Sequence, residues 1–243
     1  MRNIWRIPVI QLVVLGTLIL VASSWAQNRA PIGDEIAKAY GLDSWDKIEG
    51  LRYTFNVDLG TIKVARSWEW EPKTGKVSYS GKDKDGKPVT ATYLRSELST
   101  QPADVKDQID PDFMNDQYWL TFPLHVAWDT SATIEDKGTH KLPIGTGSGD
   151  WVVVKYPDGV GYTPGDTWEL FVGPDKRVKA FVYRRGGATK PSVVIATWKD
   201  YKKAGPLLVA TDHVGTADGK PVRIWFSGVS YKLVGSDKWE NAQ

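Results

Sequence analysis

Apolar residues recur at every second position along much of this chain. Leu51, Tyr53, Phe55, Val57 and Leu59 alternate with Arg52, Thr54, Asn56 and Asp58, the period of a strand with one buried and one wet face. The Leu59-Gly60 step turns the chain into residues 61–71. There Ile62, Val64, Arg66, Trp68 and Trp70 share one face, and Thr61, Lys63, Ala65, Ser67 and Glu69 share the other. Val77 and Tyr79 continue the pattern, and Asp85-Gly86 turns it into Val89, Ala91 and Tyr93. Further strands are predicted at Trp151–Tyr156, Asp166–Val172, Arg177–Arg184, Ser192–Asp200, Leu207–His213 and Val222–Ser230, each bounded by Gly, Pro or Asp clusters. The pattern predicts about ten antiparallel strands.

Two stretches break the alternation. Ile32, Ile36, Ala39 and Tyr40 stand at helical spacing with Gly41 as a stop, and a second short turn from Asp43 or Ser44 presents Trp45 and Ile48. In the middle, Asp110-Pro111 reads as an N-cap followed by proline at the first helical position, and Met114, Tyr118 and Phe122 then fall on one helical stripe flanked by Trp119 and Leu120. Pro123 is expected to end or kink that helix. Residues 130–150, with Gly145, Gly147 and Gly149, read as loop. The expected fold is mainly β: an open antiparallel half-barrel with helices 33–48 and 100–122 on its concave side.

The first 26 residues read as an export leader. Arg2 and Arg6 precede the apolar run Val9–Ala22, and Ser24-Trp25-Ala26 supplies the small residues of a cleavage site. The run is shorter than the roughly 20 residues of a spanning helix. The expectation is a soluble, extracytoplasmic (periplasmic) single domain over residues 27–243. With Arg2 and Arg6 set aside, the 31 basic and 29 acidic residues balance. No basic run marks a nucleic-acid surface. Absence of Cys removes thiol chemistry, thiolate metal sites and disulfides.

Several segments carry a resemblance to a known family: Tyr40-Gly41 with Trp45 and Ile48-Glu49-Gly50-Leu51, Arg66-Ser67-Trp68-Glu69-Trp70, Phe113–Leu120 with Phe122-Pro123, and Trp198-Lys199-Asp200-Tyr201 with Gly205-Pro206-Leu207. In their order and spacing the chain resembles the lipoprotein-carrier (LolA-like) superfamily, as an exported branch, over most of residues 33–230. That resemblance implies an incomplete antiparallel barrel, partly closed by helices, around an apolar cavity for acyl chains or similar ligands.

No motif supplies a catalyst. Gly81–Lys87 imitates a phosphate-binding loop, but Pro88 stands where Ser or Thr is required, and the segment leads into a strand; it reads as a hairpin turn. Gly145–Gly149 fails as a nucleophile elbow because Asp150 occupies the second glycine position. His125, His140 and His213 lack metal-ligand spacing, so neither a cofactor nor a metal is expected. Arg66 is the sharper signal, since a guanidinium on an apolar face must pair with a carboxylate, snorkel to an edge or meet an anionic ligand group. The 12 tryptophans pose the matching question, because large rings can either line a cavity or plug it. The candidate ligand-binding set is Arg66, Trp68, Trp70, Tyr118, Trp119, Phe122 and Trp168. The expected partner is an apolar or amphipathic small molecule or acyl chain. An envelope protein meeting the outer surface of a filled domain is the alternative.

Overall fold

The computed structural model describes residues 29–83, 85–159, 161–187 and 192–243; the leader reading lies outside them. Thirteen strands form a single sheet: β1 Ile48–Asp58, β2 Lys63–Glu71, β3 Lys76–Lys82, β4 Pro88–Leu94, β5 Thr133–Lys141, β6 Ser148–Lys155, β7 Thr167–Val172, β8 Val178–Arg184, β9 Val193–Thr197, β10 Lys199–Ala204, β11 Leu207–Ala217, β12 Lys220–Leu233 and β13 Glu240–Asn241. Their order is β4-β3-β2-β1-β12-β11-β9-β8-β7-β6-β5, with β10 pairing β11 and β13 pairing β12. The strand pairings are antiparallel, and the sheet stays open between its edges β4 and β5.

Two α-helices lie on one face: α1 Ile32–Ala39 and α2 Asp110–Trp128. Side chains of α2 reach β2 through Arg66 and Trp68, and β7 and β8 through Trp168 and Phe181, while its Trp119 carbonyl meets His213 of β11. Between β2 and β7 the sheet order takes six steps, about 29 Å if flat at ~4.8 Å each. Asp116, which meets β2, and Trp119, which meets β7, lie only about 4.5 Å apart along the axis of a helix about 10–12 Å across, so both contacts form only if the sheet curls around it. The helix therefore occupies the concave side, as expected.

The predicted hairpins are present: Val57 faces Val64, Trp70 faces Val77, and Lys82 faces Pro88 across the turn that imitated a phosphate loop. Gly41 ends α1 region with φ 97°, and a Cβ there would lie 2.5 Å from the Pro206 carbonyl oxygen, so only glycine fits.

Four expectations are corrected. Residues 130–150 are not loop throughout, for they carry β5 and the start of β6. As an edge strand β5 buries Ile134 and little else, so it shows no apolar alternation. The predicted strand 192–200 breaks at Trp198, where the ring turns into the core over His213 at 4.2 Å, and β10 starts at Lys199 with Asp200 inside it at φ 55°. These two strands account for most of the difference between ten and thirteen. Ile62 belongs to the turn before β2 and is 57% exposed. The central helix includes Asp110 as its first residue and not as its cap, follows a π-helical turn Val105–Ile109, and runs through Pro123 to Trp128.

That last correction has a local cause. Proline has no N–H to give the carbonyl four residues back, which here is Trp119. His213 Nε2 stands 3.1 Å from that oxygen, and in the tautomer that carries its proton on Nε2 it takes the place of the missing amide. A helix can continue past proline when another donor satisfies the orphaned carbonyl.

Candidate functional site

Along α2, Asp112 and Asp116 are four residues apart and so project from the same side. Asp116 is fully buried. It accepts hydrogen bonds from Arg66 Nε at 2.7 Å, Arg66 Nη2 at 2.5 Å, Trp68 Nε1 at 2.8 Å and Asn115 Nδ2 at 3.0 Å. Asp112 takes Arg66 Nη1 at 2.7 Å. Of the three fates open to Arg66, pairing with a carboxylate is the one found: a bidentate fork on a buried aspartate. Burial pushes the Asp116 carboxyl up to about 6 despite this pairing. Burial alone would lower the guanidinium, but the two carboxylates outweigh it and hold it up.

The start of the helix is clamped in the same manner. Buried Asp110 accepts from Tyr93 OH at 3.0 Å, Arg95 Nε at 2.9 Å and Tyr162 OH at 2.5 Å. At its end, Asp129 accepts from Tyr118 OH at 2.6 Å and Tyr156 OH at 2.7 Å and lies 3.1 Å from His125 Nδ1. Burial would raise Asp129, but these hydrogen bonds prevail and hold it below the usual carboxylate range. The other ring nitrogen of His125 meets Gln117 Oε1 at 3.0 Å, and Tyr118 stacks on the imidazole at 3.7 Å. Both nitrogens are engaged, which suits a strut better than a base.

The predicted aromatic residues divide into two groups. Trp68 and Trp70 pack on Phe113 at 5.4 and 5.6 Å, and Trp45 lies between Trp70 and Trp128 at 5.5 and 4.6 Å. This wing of the concave side is filled by its own rings. Phe122, fully buried, lies nearly parallel to Trp168 at 3.9 Å, and Trp119 tilts against Trp168 at 4.9 Å and Tyr183 at 5.3 Å.

Beside this second group a cavity of ≈860 Å³ opens between the N-terminal half of α2 and strands β7 and β8. Asp112, Asn115, Tyr118 and Trp119 form the helical wall, and Trp168 and Tyr183 form the sheet wall. Tyr162-Thr163-Pro164, before β7, and Arg185-Gly186-Gly187, after β8, form the rim. Tyr118, Trp119 and Trp168 of the predicted set line it. Arg66, Trp68, Trp70 and Phe122 are not in its wall, because the Arg66–Asp116 pair and the Phe113 cluster close that side.

Tyr183, Tyr162, Asp166 and Arg185 were not anticipated. Tyr183 was open to detection, since it shares strand parity with Phe181, which faces the helix. The loop residues carry no such signal. Among the described residues no group of three His, Asp or Glu side chains converges as a metal site requires.

No protein-family model and no curated protein matches the sequence. Solved structures similar to it include the following two. A DUF1329 family protein from Desulfovibrio piger aligns over 85% of this chain and 94% of its own, at 12% identity and a TM-score of 0.46. An outer membrane lipoprotein-sorting protein domain from Vibrio parahaemolyticus aligns over 85% and 93%, at 10% identity and a TM-score of 0.47.

Proposed function

We propose that this chain is an extracytoplasmic, non-catalytic binding protein, and that its amphipathic small-molecule ligand occupies the cavity beside α2. The cavity itself carries the reading. About 860 Å³ is the size of a small-molecule site, and its wall mixes indole and phenol rings with carboxylates, an amide and a guanidinium. Such a wall matches a ligand with an apolar body and a polar end. Buried Asp116 and Asp129 are saturated with hydrogen bonds, which favours holding over proton transfer. The leader-like residues 1–26 support an address outside the cytoplasm, and no described helix is long and apolar enough to cross a membrane.

The filled wing favours a second reading. With Trp45, Trp68, Trp70 and Phe113 packed together, a long acyl chain has no room on that side, and the domain could instead present its outer surface to an envelope protein. Nile red, a neutral fluorescent probe, separates the two readings. Saturable binding that is lost in Met114→Trp, whose indole would enter the cavity, supports the first. Absence of saturable binding, with a specific partner recovered by cross-linking, supports the second.

A further inference from the structure

We infer that the cavity selects a ligand carrying a positively charged ammonium group, an inference that rests on the binding reading above. The argument is an account of free valences around the wall. Tyr118 donates its hydroxyl proton to Asp129 at 2.6 Å, Tyr162 to Asp110 at 2.5 Å and Tyr183 to Asp166 at 2.8 Å. None of these phenols has a proton left to give. The Tyr162 oxygen already accepts from Arg95 Nη2 at 3.2 Å, and the Tyr118 oxygen is engaged by Tyr156 and Thr163, so these two meet a ligand as ring faces, whereas Tyr183 also keeps an acceptor lone pair. The amide of Asn115 donates one N–H to Asp116 and accepts from Trp119 Nε1 at 3.3 Å, which leaves its second N–H and the indole N–H of Trp168, unpartnered among the described residues, as donors in the wall.

The charges tilt the same way. Asp166 is 4% exposed and accepts Tyr183 OH and the Gly186 amide, but no cation among the described residues forms an ion pair with it. One oxygen of Asp112 holds Arg66, and the other has no hydrogen-bond partner among the described residues. Burial pushes the Asp112 carboxyl up even with Arg66 beside it, the mark of a carboxylate short of positive charge. Against these two carboxylates the described wall sets a single cation, Arg185, which is exposed at the rim. The helix dipole does not reverse this balance, because α2 continues from the turn Val105–Ile109 and offers no free N-terminus here.

Aromatic faces supply the remaining attraction. Trp119, Trp168, Tyr118, Tyr162 and Tyr183 surround the space, and an ammonium group is drawn to the ring quadrupole of Trp and Tyr. A phenol that donates to a carboxylate gains electron density in its ring, which strengthens that attraction. The under-compensated carboxylates, the Tyr183 lone pair and the aromatic faces together describe a receptor for an organic cation.

Three probes test this by titration against intrinsic tryptophan fluorescence, each below its micelle concentration: choline, dodecyltrimethylammonium and dodecanoate. The expected result is saturable binding of dodecyltrimethylammonium, with dodecanoate about tenfold weaker or more, as one lost charge-assisted contact allows. Asp112→Asn should weaken the ammonium probe by about the same factor, and Arg185→Gln, at an exposed position, should strengthen it a few-fold. Choline binding nearly as well as the long-chain probe identifies a small free ammonium compound as the natural class, and a large advantage for the long chain identifies a lipid headgroup. Dodecanoate binding more tightly than the ammonium probe, and losing affinity in Arg185→Gln, overturns the inference while leaving the cavity reading standing. If ammonium binding ignores both substitutions, the proposed location is overturned. If none of the three binds while Nile red does, the inference is overturned and the cavity reading stands; if Nile red also fails to bind, the binding reading itself falls.

Discussion

His213 Nε2 lies 3.1 Å from the carbonyl oxygen of Trp119, the acceptor that Pro123 leaves without its helical donor. The imidazole is fully buried, its Nδ1 is 3.2 Å from the Thr197 carbonyl, and Trp198 covers the ring at 4.2 Å. One histidine thus joins α2 to β9 and β11 through the point at which the helix would otherwise fail. His213→Leu should destabilise the fold by about 1–3 kcal/mol, the cost of a buried carbonyl without a partner. In a Pro123→Ala background, where residue 123 regains its amide, the same change should cost less. Urea denaturation of the four proteins of that double-mutant cycle checks the coupling.

The same residue imposes a pH dependence. Burial lowers the folded imidazole from its ordinary value near 6.5 to about 4, against the pull of its two carbonyl neighbours. Between those limits the unfolded chain binds the proton and the folded one does not. The histidine therefore costs no stability above pH 6.5, and as pH falls towards 4 the penalty grows to about 3 kcal/mol. Asp116 acts in the opposite sense, because its folded pKa is raised from 3.8 to about 6 and its burial penalty is relieved as pH falls through that range. Wild-type stability should be nearly flat between pH 6 and 4. His213→Leu, freed of the histidine term, should become steadily more stable relative to wild type on acidification, as followed by urea midpoints at several pH values.

Arg66→Met leaves the buried Asp116 carboxylate without its cation, and the expected loss is about 3–5 kcal/mol. Adding Asp116→Leu removes the stranded charge and should restore a large part of that loss. If the single substitution is tolerated as well as a surface change, the ion pair is not the tie between β2 and α2 that its geometry indicates.

Phe122→Ala removes a fully buried ring that lies 3.9 Å from Trp168 and should cost about 3–5 kcal/mol. Met114 shares its helical stripe but faces the cavity, so Met114→Ala should cost less in urea while altering Nile red binding.

Much of this architecture was legible in residue order. Alternation placed Trp68 and Arg66 on the inner face, Asp110-Pro111 marked the start of α2, and Asp85-Gly86 fell in the β3–β4 turn. The edge strand β5 was not legible, because a strand wetted on both faces has no apolar period to read. The extent of α2 was hidden because the donor that rescues Pro123 comes from His213, ninety residues later in the chain. Arg66 required some partner, but its identity depended on how the sheet curls, which brings Asp116 across from a separate element. The cavity was the least visible feature. Its aromatic wall was partly found through Tyr118, Trp119 and Trp168, whereas its rim comes from loops whose paths no local period encodes.

Native mass spectrometry of protein purified gently from its own host tests the central claim most directly. The account predicts a discrete adduct of one small amphipathic molecule per chain, present on the wild type and absent from Met114→Trp. A wild type that flies bare under conditions that preserve the fold, or an adduct unchanged in Met114→Trp, would contradict it.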